Sequence, residues 1–195
     1  MPDRRHSVWC WDLLEGKNVN LRVMEKEDLP LLGEWFGKPE VLGEYQGLRQ
    51  FSKLELEKFW TQDAHEMKGF IIEKKDGTKI GFITHFHVLH PAGLRQLEIG
   101  FTLVPNERGK GYCSEAINII VDYLFLSRDT VRIQACTDVR NLPSQKALEK
   151  AGFKKEGTIR KFGFLRGGWR DGCLYSILGD EWKEPRILTT RTSQG

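Results

Sequence analysis

Apolar residues along this chain recur with two periods, and the switches between them mark out its elements. Val19 to Met24 alternates as a half-buried strand does. Leu29, Leu32 and the Trp35–Phe36 pair then return at helical spacing behind Asp28, a residue suited to a helix start. Gly37, Gly43 and Gly47 interrupt that run. Ser52 followed by Glu55 is a capping-box pattern, in which each side chain satisfies a first-turn N–H, and Leu56, Phe59, Trp60 and Met67 continue a helix from it. The period then drops to two. Phe70 to Glu73 and Ile80 to Phe86 read as strands joined through Asp76-Gly77, a strong hairpin pair, and Gln96 to Val104 reads as a third strand after a loop at His90 to Arg95. Three such strands in succession predict an antiparallel meander.

From Pro105 the helical period returns, with Ile117, Ile120, Val121 and Leu124 opposite Glu115, Asn118 and Asp122. Val131 to Thr137 is a strand. Asn141 can cap the next helix, Ala147, Leu148 and Ala151 form its buried face, and Gly152 stops it. Lys154 to Arg160 and Leu174 to Leu178 close the pattern. Residues 1 to 16 read as irregular, with Trp9 and Trp11 packing across a domain edge, and Glu184 to Gly195 as a frayed tail. The sum is one α+β domain over residues 1–183, a mixed and mostly antiparallel sheet of about seven strands with flanking helices, followed by a tail over 184–195.

Composition adds exclusions. A chain of 195 residues, 39% apolar and 29% charged, can bury enough surface for a core without disulfides. Thirty basic against 27 acidic residues leave +3, which does not suggest nucleic-acid binding, and Glu156 and Asp171 interrupt the basic cluster from Lys154 to Arg170. Cys10, Cys113, Cys136 and Cys173 form no CxxC pair, so no metal site is expected. No apolar run approaches bilayer length and Met1 to Asp12 lacks signal-peptide character, which leads us to expect a cytoplasmic protein without a membrane partner.

The most informative stretch is Val104-Pro-Asn-Glu-Arg-Gly-Lys-Gly-Tyr-Cys-Ser114, between a strand and the long helix. Gly109 and Gly111 permit backbone N–H groups to converge at a helix start, where the macrodipole favours an anion such as a pyrophosphate, with Arg108 and Lys110 as counter-charge. A Gly-Lys-Gly turn taken alone serves a tight structural bend equally well. The spacing excludes a Walker loop, and the dinucleotide pattern fails at Ser114. Arg108-x-x-Gly111-x-Cys113 resembles the Arg/Gln-x-x-Gly-x-Gly/Ala signature of the GNAT superfamily of acyl-CoA N-acyltransferases. Asn141-x-x-Ser144 leading to Ala151-Gly152-Phe153 is similar to the second half of that family, in its RimJ/RimL type, and the likeness runs over residues 18 to 183.

That resemblance implies a splayed central parallel pair, Gln96 to Val104 and Val131 to Thr137, with acetyl-CoA in the opening and no metal. It implies that the backbone of Phe101, Thr102 and Leu103 pairs with the pantetheine, an amide near Leu103 polarising the thioester. Arg108, Gly109, Lys110, Gly111, Tyr112, Cys113 and Ser114 would hold the pyrophosphate, with Asn141 beside the cofactor. Cys113 departs from the family's Gly or Ala and would be a point where oxidation or alkylation blocks the cofactor. The implied reaction is direct attack of a primary amine, of a protein N-terminus or a small molecule, on the thioester. Ser144 matches the family's proton donor to the leaving thiolate, although a first-turn serine also serves by bonding backbone. Glu98 is the candidate base; an unbroken strand puts it on the face of Gly100 and Thr102, a bulge would reset that parity, and a water chain is the alternative.

The resemblance also implies an acceptor pocket built from the first helical segment and the loop before the last strand, regions that here supply Trp35, Glu44, Tyr45, Phe162 and Trp169, with Phe36, Phe164 and Asp171; aromatics with a few carboxylates suit a cation-bearing acceptor. A lid or dimer surface has the same composition, and a homodimer is compatible with both the resemblance and the aromatic surplus. His85 and His87 alternate on one strand face and are expected as satisfied sheet residues. A non-catalytic acyl-CoA binding or sensing module is the alternative function.

Overall fold

The meander forms as the alternation requires, from β2 (Val19–Val23), β3 (Lys68–Lys74), β4 (Lys79–His87) and β5 (Gln96–Leu103), each antiparallel to the one before. The computed structural model describes residues 13–47, 50–61, 67–88 and 96–187, so Trp9, Trp11, the loop at His90 to Arg95 and the last eight residues lie outside the described residues. Ahead of the meander, β1 (Leu13–Glu15) pairs with β2, and after it come β6 (Arg132–Asp138), β7 (Lys154–Leu165) and β8 (Gly168–Leu178). The sheet order is β1-β2-β3-β4-β5-β6-β8-β7, eight strands where the sequence predicts about seven. The extra one is a three-residue strand, too short to show an alternation of its own.

Two layers cover the sheet. On one face lies α4 (Tyr112–Ser127), whose Ile117, Ile119, Ile120 and Leu124 are fully buried against Leu21, Ile72, Ile83, Leu97 and Ile133. Isoleucine is a middling helix former, so this helix owes its stability to packing, at roughly 1.5–3 kcal/mol per buried aliphatic side chain. On the other face lie α1 (Leu29–Gly37), α2 (Pro39–Leu42) and α3 (Lys53–Thr61), where Leu29, Leu32, Trp35 and Leu56 bury with Ile71 and Phe82. The capping box at α3 is present, Ser52 N–H to Glu55 Oε2 at 2.8 Å and Glu55 N–H to Ser52 Oγ at 3.2 Å. Met67 does not continue it: α3 is described as far as Thr61, and Met67 leads into β3.

Two polar groups are buried by design of their partners. Asp28 receives Arg22 at 2.8 Å and Lys79 at 2.7 Å, and Arg22 also reaches Glu73 at 2.8 Å, which ties the start of α1 to three strands. Asp122, read from the sequence as part of a polar stripe, is fully buried and accepts from Trp182 Nε1 and from the N–H groups of Arg186 and Ile187. The segment after Lys183 is therefore fastened to α4 at Arg186 and Ile187.

Helix α5 (Leu142–Lys150) starts on Asn141, whose Oδ1 accepts from Ser144 N–H at 3.3 Å, and Gly152 follows it at φ 92. β7 and β8 extend past the runs the sequence shows, meeting at Arg166–Gly167, both with positive φ as a two-residue hairpin turn needs. Irregular pairing at Ile159/Gly163, with Lys161 at φ 52 donating its N–H to Asp171, hides the alternation there.

Candidate active site

The parallel pairing in the sheet is short. β5 and β6 are in register at Gln96–Arg132, Leu97–Ile133 and Glu98–Gln134, and beyond that level they part. Which backbone groups face the opening follows from the antiparallel ladders on either side. Val104 N–H donates to Ile80 O at 2.9 Å and Val88 N–H to Gln96 O at 3.0 Å, with no register shift between. The even-numbered residues of β5 therefore bond to β4, while the C=O of Ile99 and the N–H and C=O groups of Phe101 and Leu103 turn toward the opening, Ile99 N–H closing the parallel ladder. Across it, Gly179 N–H donates to Val131 O and Val139 N–H to Asp171 O, which leaves the backbone of Cys136 facing in from β6. Thr102, expected as a backbone ligand beside Phe101 and Leu103, pairs with β4 instead; its hydroxyl accepts from Gln46 Nε2 at 2.7 Å at the cleft wall.

The opening is continuous with a cleft of about 660 Å³ that runs to the glycine turn. Gly109 and Gly111 sit at φ 77 and 88, where an added Cβ would meet nothing within 4 Å, so the turn opens onto free space in a conformation side chains rarely adopt. Gly111 is the N-cap of α4 and no side chain caps that helix. The first-turn N–H groups over Tyr112, Cys113 and Ser114 are thus left for a guest, and a pyrophosphate fits them.

Three expected roles change here. The Arg108 guanidinium donates to Leu103 O at 2.9 Å and to Val41 O, fixing α2 to the end of β5 rather than standing free as counter-charge, and burial lowers its pKa. Lys110 pairs with Glu107 at 3.0 Å and does not line the cleft. Lys146 and Lys150 do line it, with Leu142, Pro143 and Ala147, and supply positive charge from α5. Their i, i+4 spacing on the Ser144 helix is the signal that would have identified them. Cys113 packs against the main core, and burial pushes its thiol up to about 12, so it is protonated and poorly nucleophilic at neutral pH.

At the wide end, Ser144 lines the cleft one turn into α5. Asn141 is fixed on both sides, its Nδ2 donating to Thr137 Oγ1 at 3.1 Å. Glu98 sits where the strands part. The unshifted β4–β5 register shows no bulge there, so Glu98 shares a face with Gly100 and Thr102, and its Oε2 accepts from Gln134 Nε2 at 2.8 Å. It is not part of the cleft wall. Cys136 is close by, its thiol pushed up to about 12 by burial and by the Glu98 charge.

Of the acceptor candidates, Glu44 and Tyr45 line the cleft. A hydrogen bond to Glu44 raises the Tyr45 phenol, and Arg140 Cζ lies 5.7 Å from the Tyr45 ring centroid while bonding Asp138 at 3.0 Å. Trp35 does not line it: it is 5% exposed and stacks with Phe82 at 6.2 Å in the core beneath. Phe162 and Trp169 are exposed on the β7–β8 hairpin, outside the cleft wall; Phe162 covers Gly172, and Trp169 meets Phe164 edge-on. The hairpin tip nonetheless touches the cleft rim, Arg166 donating to Gly43 O at 2.7 Å.

Comparison with known proteins places this geometry. Residues 18–154 match the family model described as an acetyltransferase (GNAT) domain. The chain is 30% identical over 184 residues to the probable N-acetyltransferase YjcK of Bacillus subtilis, covering 87% of this chain and 98% of that protein. Among solved structures, the ribosomal-protein-S5-alanine acetyltransferase of Vibrio fischeri superposes with a TM-score of 0.75 at 24% identity, over 88% of this chain and 99% of that one. The spermidine N-acetyltransferase of Vibrio cholerae, solved with CoA and spermine, does so with a TM-score of 0.75 at 23% identity, over 85% and 98%.

Proposed function

The chain belongs to the GNAT acetyltransferase family, and we propose that this acetyl-CoA-dependent N-acetyltransferase uses the splayed opening to acetylate the α-amine of a peptide. The observation that carries the reading is the run of backbone groups at Ile99, Phe101 and Leu103 that faces the opening, about 16 Å of strand between Glu98 and the end of β5, leading from the parting of the strands to the glycine turn. An extended amide-bearing chain completes such an edge as an added strand would. Bound acetyl-CoA would supply the activated acetyl group. The N–H groups of Phe101 and Leu103 are the donors aimed into the opening, suited to a thioester carbonyl, because Leu103 O is already occupied by Arg108. Ser144 is the proton donor to the departing sulfur.

Charge at the wide end argues for an α-amine over a polyamine. Arg140 neutralises Asp138 and holds its carboxyl below the usual range. Among the described residues that line the cleft, Glu44 is the one carboxylate open to a polycation. An α-amine, with a pKa of about 7.7–8, is also substantially neutral near pH 8 and needs less help from a base than a lysine-like amine of about 10.4. Glu98, held by Gln134 outside the cleft wall, would take the proton through a chain of water.

The experiment is CoA release from acetyl-CoA with three acceptors: short peptides with free N-termini, the same peptides N-blocked but carrying lysine, and spermidine. Turnover with the free N-termini, lowered about 10- to 100-fold by Ser144→Ala, is the expected result. Preference for spermidine would overturn the acceptor; acetyl-CoA binding without turnover on any amine would make the protein an acyl-CoA sensor.

A further inference from the structure

A second cleft, of about 700 Å³, lies away from the first, at the other end of β4. Ile80 meets Val104 beside the glycine turn, whereas His85, about 16 Å further along β4, forms part of the wall of this second cleft. His85 is 2% exposed, and among the described residues neither of its ring nitrogens has a hydrogen-bond partner. Buried polar groups are almost always satisfied, because an orphaned one forfeits its hydrogen bonds to water with nothing in return. Two orphaned nitrogens enclosed just behind the wall of a roomy cleft point to a polar guest that reaches them by moving the side-chain edges over them.

The surroundings define that guest. The His85 ring lies 6.3 Å from Phe70 and 6.4 Å from Tyr123, and those two rings meet edge-on at 5.6 Å, so an aromatic wall flanks the imidazole. Met24, Leu29 and Met67 extend the apolar lining. Among the described residues the rim carries Lys26, Lys58, Lys68 and Arg128 against Glu25 and Glu57, with Lys26 paired to Glu57 at 3.7 Å. Burial above all, and then the charges of Arg128 and Lys68, hold the imidazole neutral, so it presents one donor and one acceptor.

We propose that this cleft is a binding site, separate from the acetyl-transfer site, for a small aromatic carboxylate whose ring packs against Phe70 and Tyr123 and whose carboxylate accepts from His85 beneath the Arg128–Lys68 rim. The proposal does not rest on the acceptor assigned above, because none of these residues borders the first cleft.

Calorimetric titration of the full chain, with acetyl-CoA at saturation so that the first cleft is filled, tests it with three probes: phenylpropionate, phenylpropionamide and phenylpropylamine. The carboxylate is expected to bind at least about tenfold more tightly than the amide or the amine, a difference of 1.4 kcal/mol. His85→Phe, which keeps the ring and removes both nitrogens, and Arg128→Gln, an exposed change that spares the core, are each expected to weaken it about fivefold or more, with acetyl transfer unchanged. Absence of carboxylate binding, equal binding of the three probes, or full affinity in both variants overturns the proposal, as does loss of binding whenever acetyl-CoA is present.

Discussion

The guanidinium of Arg108 bonds carbonyls on two elements, whereas Lys146 and Lys150 line the cleft from α5, so three basic residues near one anion site have two different jobs. Arg108→Met leaves the carbonyls of Leu103 and Val41 without their donor at the joint between β5 and α2. A loss of about 2 kcal/mol in urea unfolding is expected, with weaker acetyl-CoA binding as a consequence of the loosened wall. Replacing Lys146 and Lys150 together by alanine is expected to leave stability within about 0.5 kcal/mol and to weaken acetyl-CoA about three- to tenfold, an effect that shrinks in high salt. Calorimetric affinities at two salt concentrations, set beside urea midpoints, separate the two roles.

At the scale of elements, the start of α5 joins stability to catalysis. Asn141 caps the helix through Ser144 N–H and is itself held by Thr137 at the end of β6, so the splayed strand fixes where Ser144 stands. Asn141→Ala is expected to cost about 1–2 kcal/mol and to lower kcat with little change in the KM for acetyl-CoA, whereas a surface mutation of equal destabilisation would leave kcat alone. This cap was legible in the sequence because it is local, as were the Asp76-Gly77 turn, the Ser52–Glu55 box and the glycine turn before α4. What the sequence could not show was set by distant partners. Trp35 reads as a cleft aromatic until Phe82 and Leu32 are seen to enclose it; Arg108 reads as free charge until Val41 folds back over it; Thr102 changes role through a register fixed by residues on β4. The β7–β8 hairpin escaped detection over Phe162 to Trp169 because its bulge breaks the alternation that marks a strand.

For the whole molecule, two buried groups on opposite faces of the sheet make acid unfolding a two-stage process. His85 titrates at about 4 in the folded chain against 6.5 ordinarily, chiefly because burial penalises the imidazolium. Between those values the unfolded chain binds a proton that the folded chain excludes, so the stability His85 contributes at neutral pH is lost as pH falls from about 6.5 to about 4. Burial of Asp28 would raise its pKa, but the hydrogen bonds from Arg22 and Lys79 outweigh burial and hold it at about 2 against 3.8 ordinarily. Its contribution is complete above about pH 4 and is lost only below that, as pH falls toward 2, in the window where Glu156, held at about 2 by Arg132 and Ser176, also titrates. His85→Phe should therefore flatten the stability profile between pH 6.5 and 4 while leaving the steeper fall below 4 in place. Asp28→Asn should behave in the opposite sense: about 3 kcal/mol less stable at neutral pH, because Arg22 and Lys79 lose the charge they enclose, with the upper slope retained and the lower one reduced. Urea unfolding of the two variants and the parent chain across this range checks both windows at once. A single slope shared by all three proteins would mean that neither group is as enclosed as its neighbours in the sheet require.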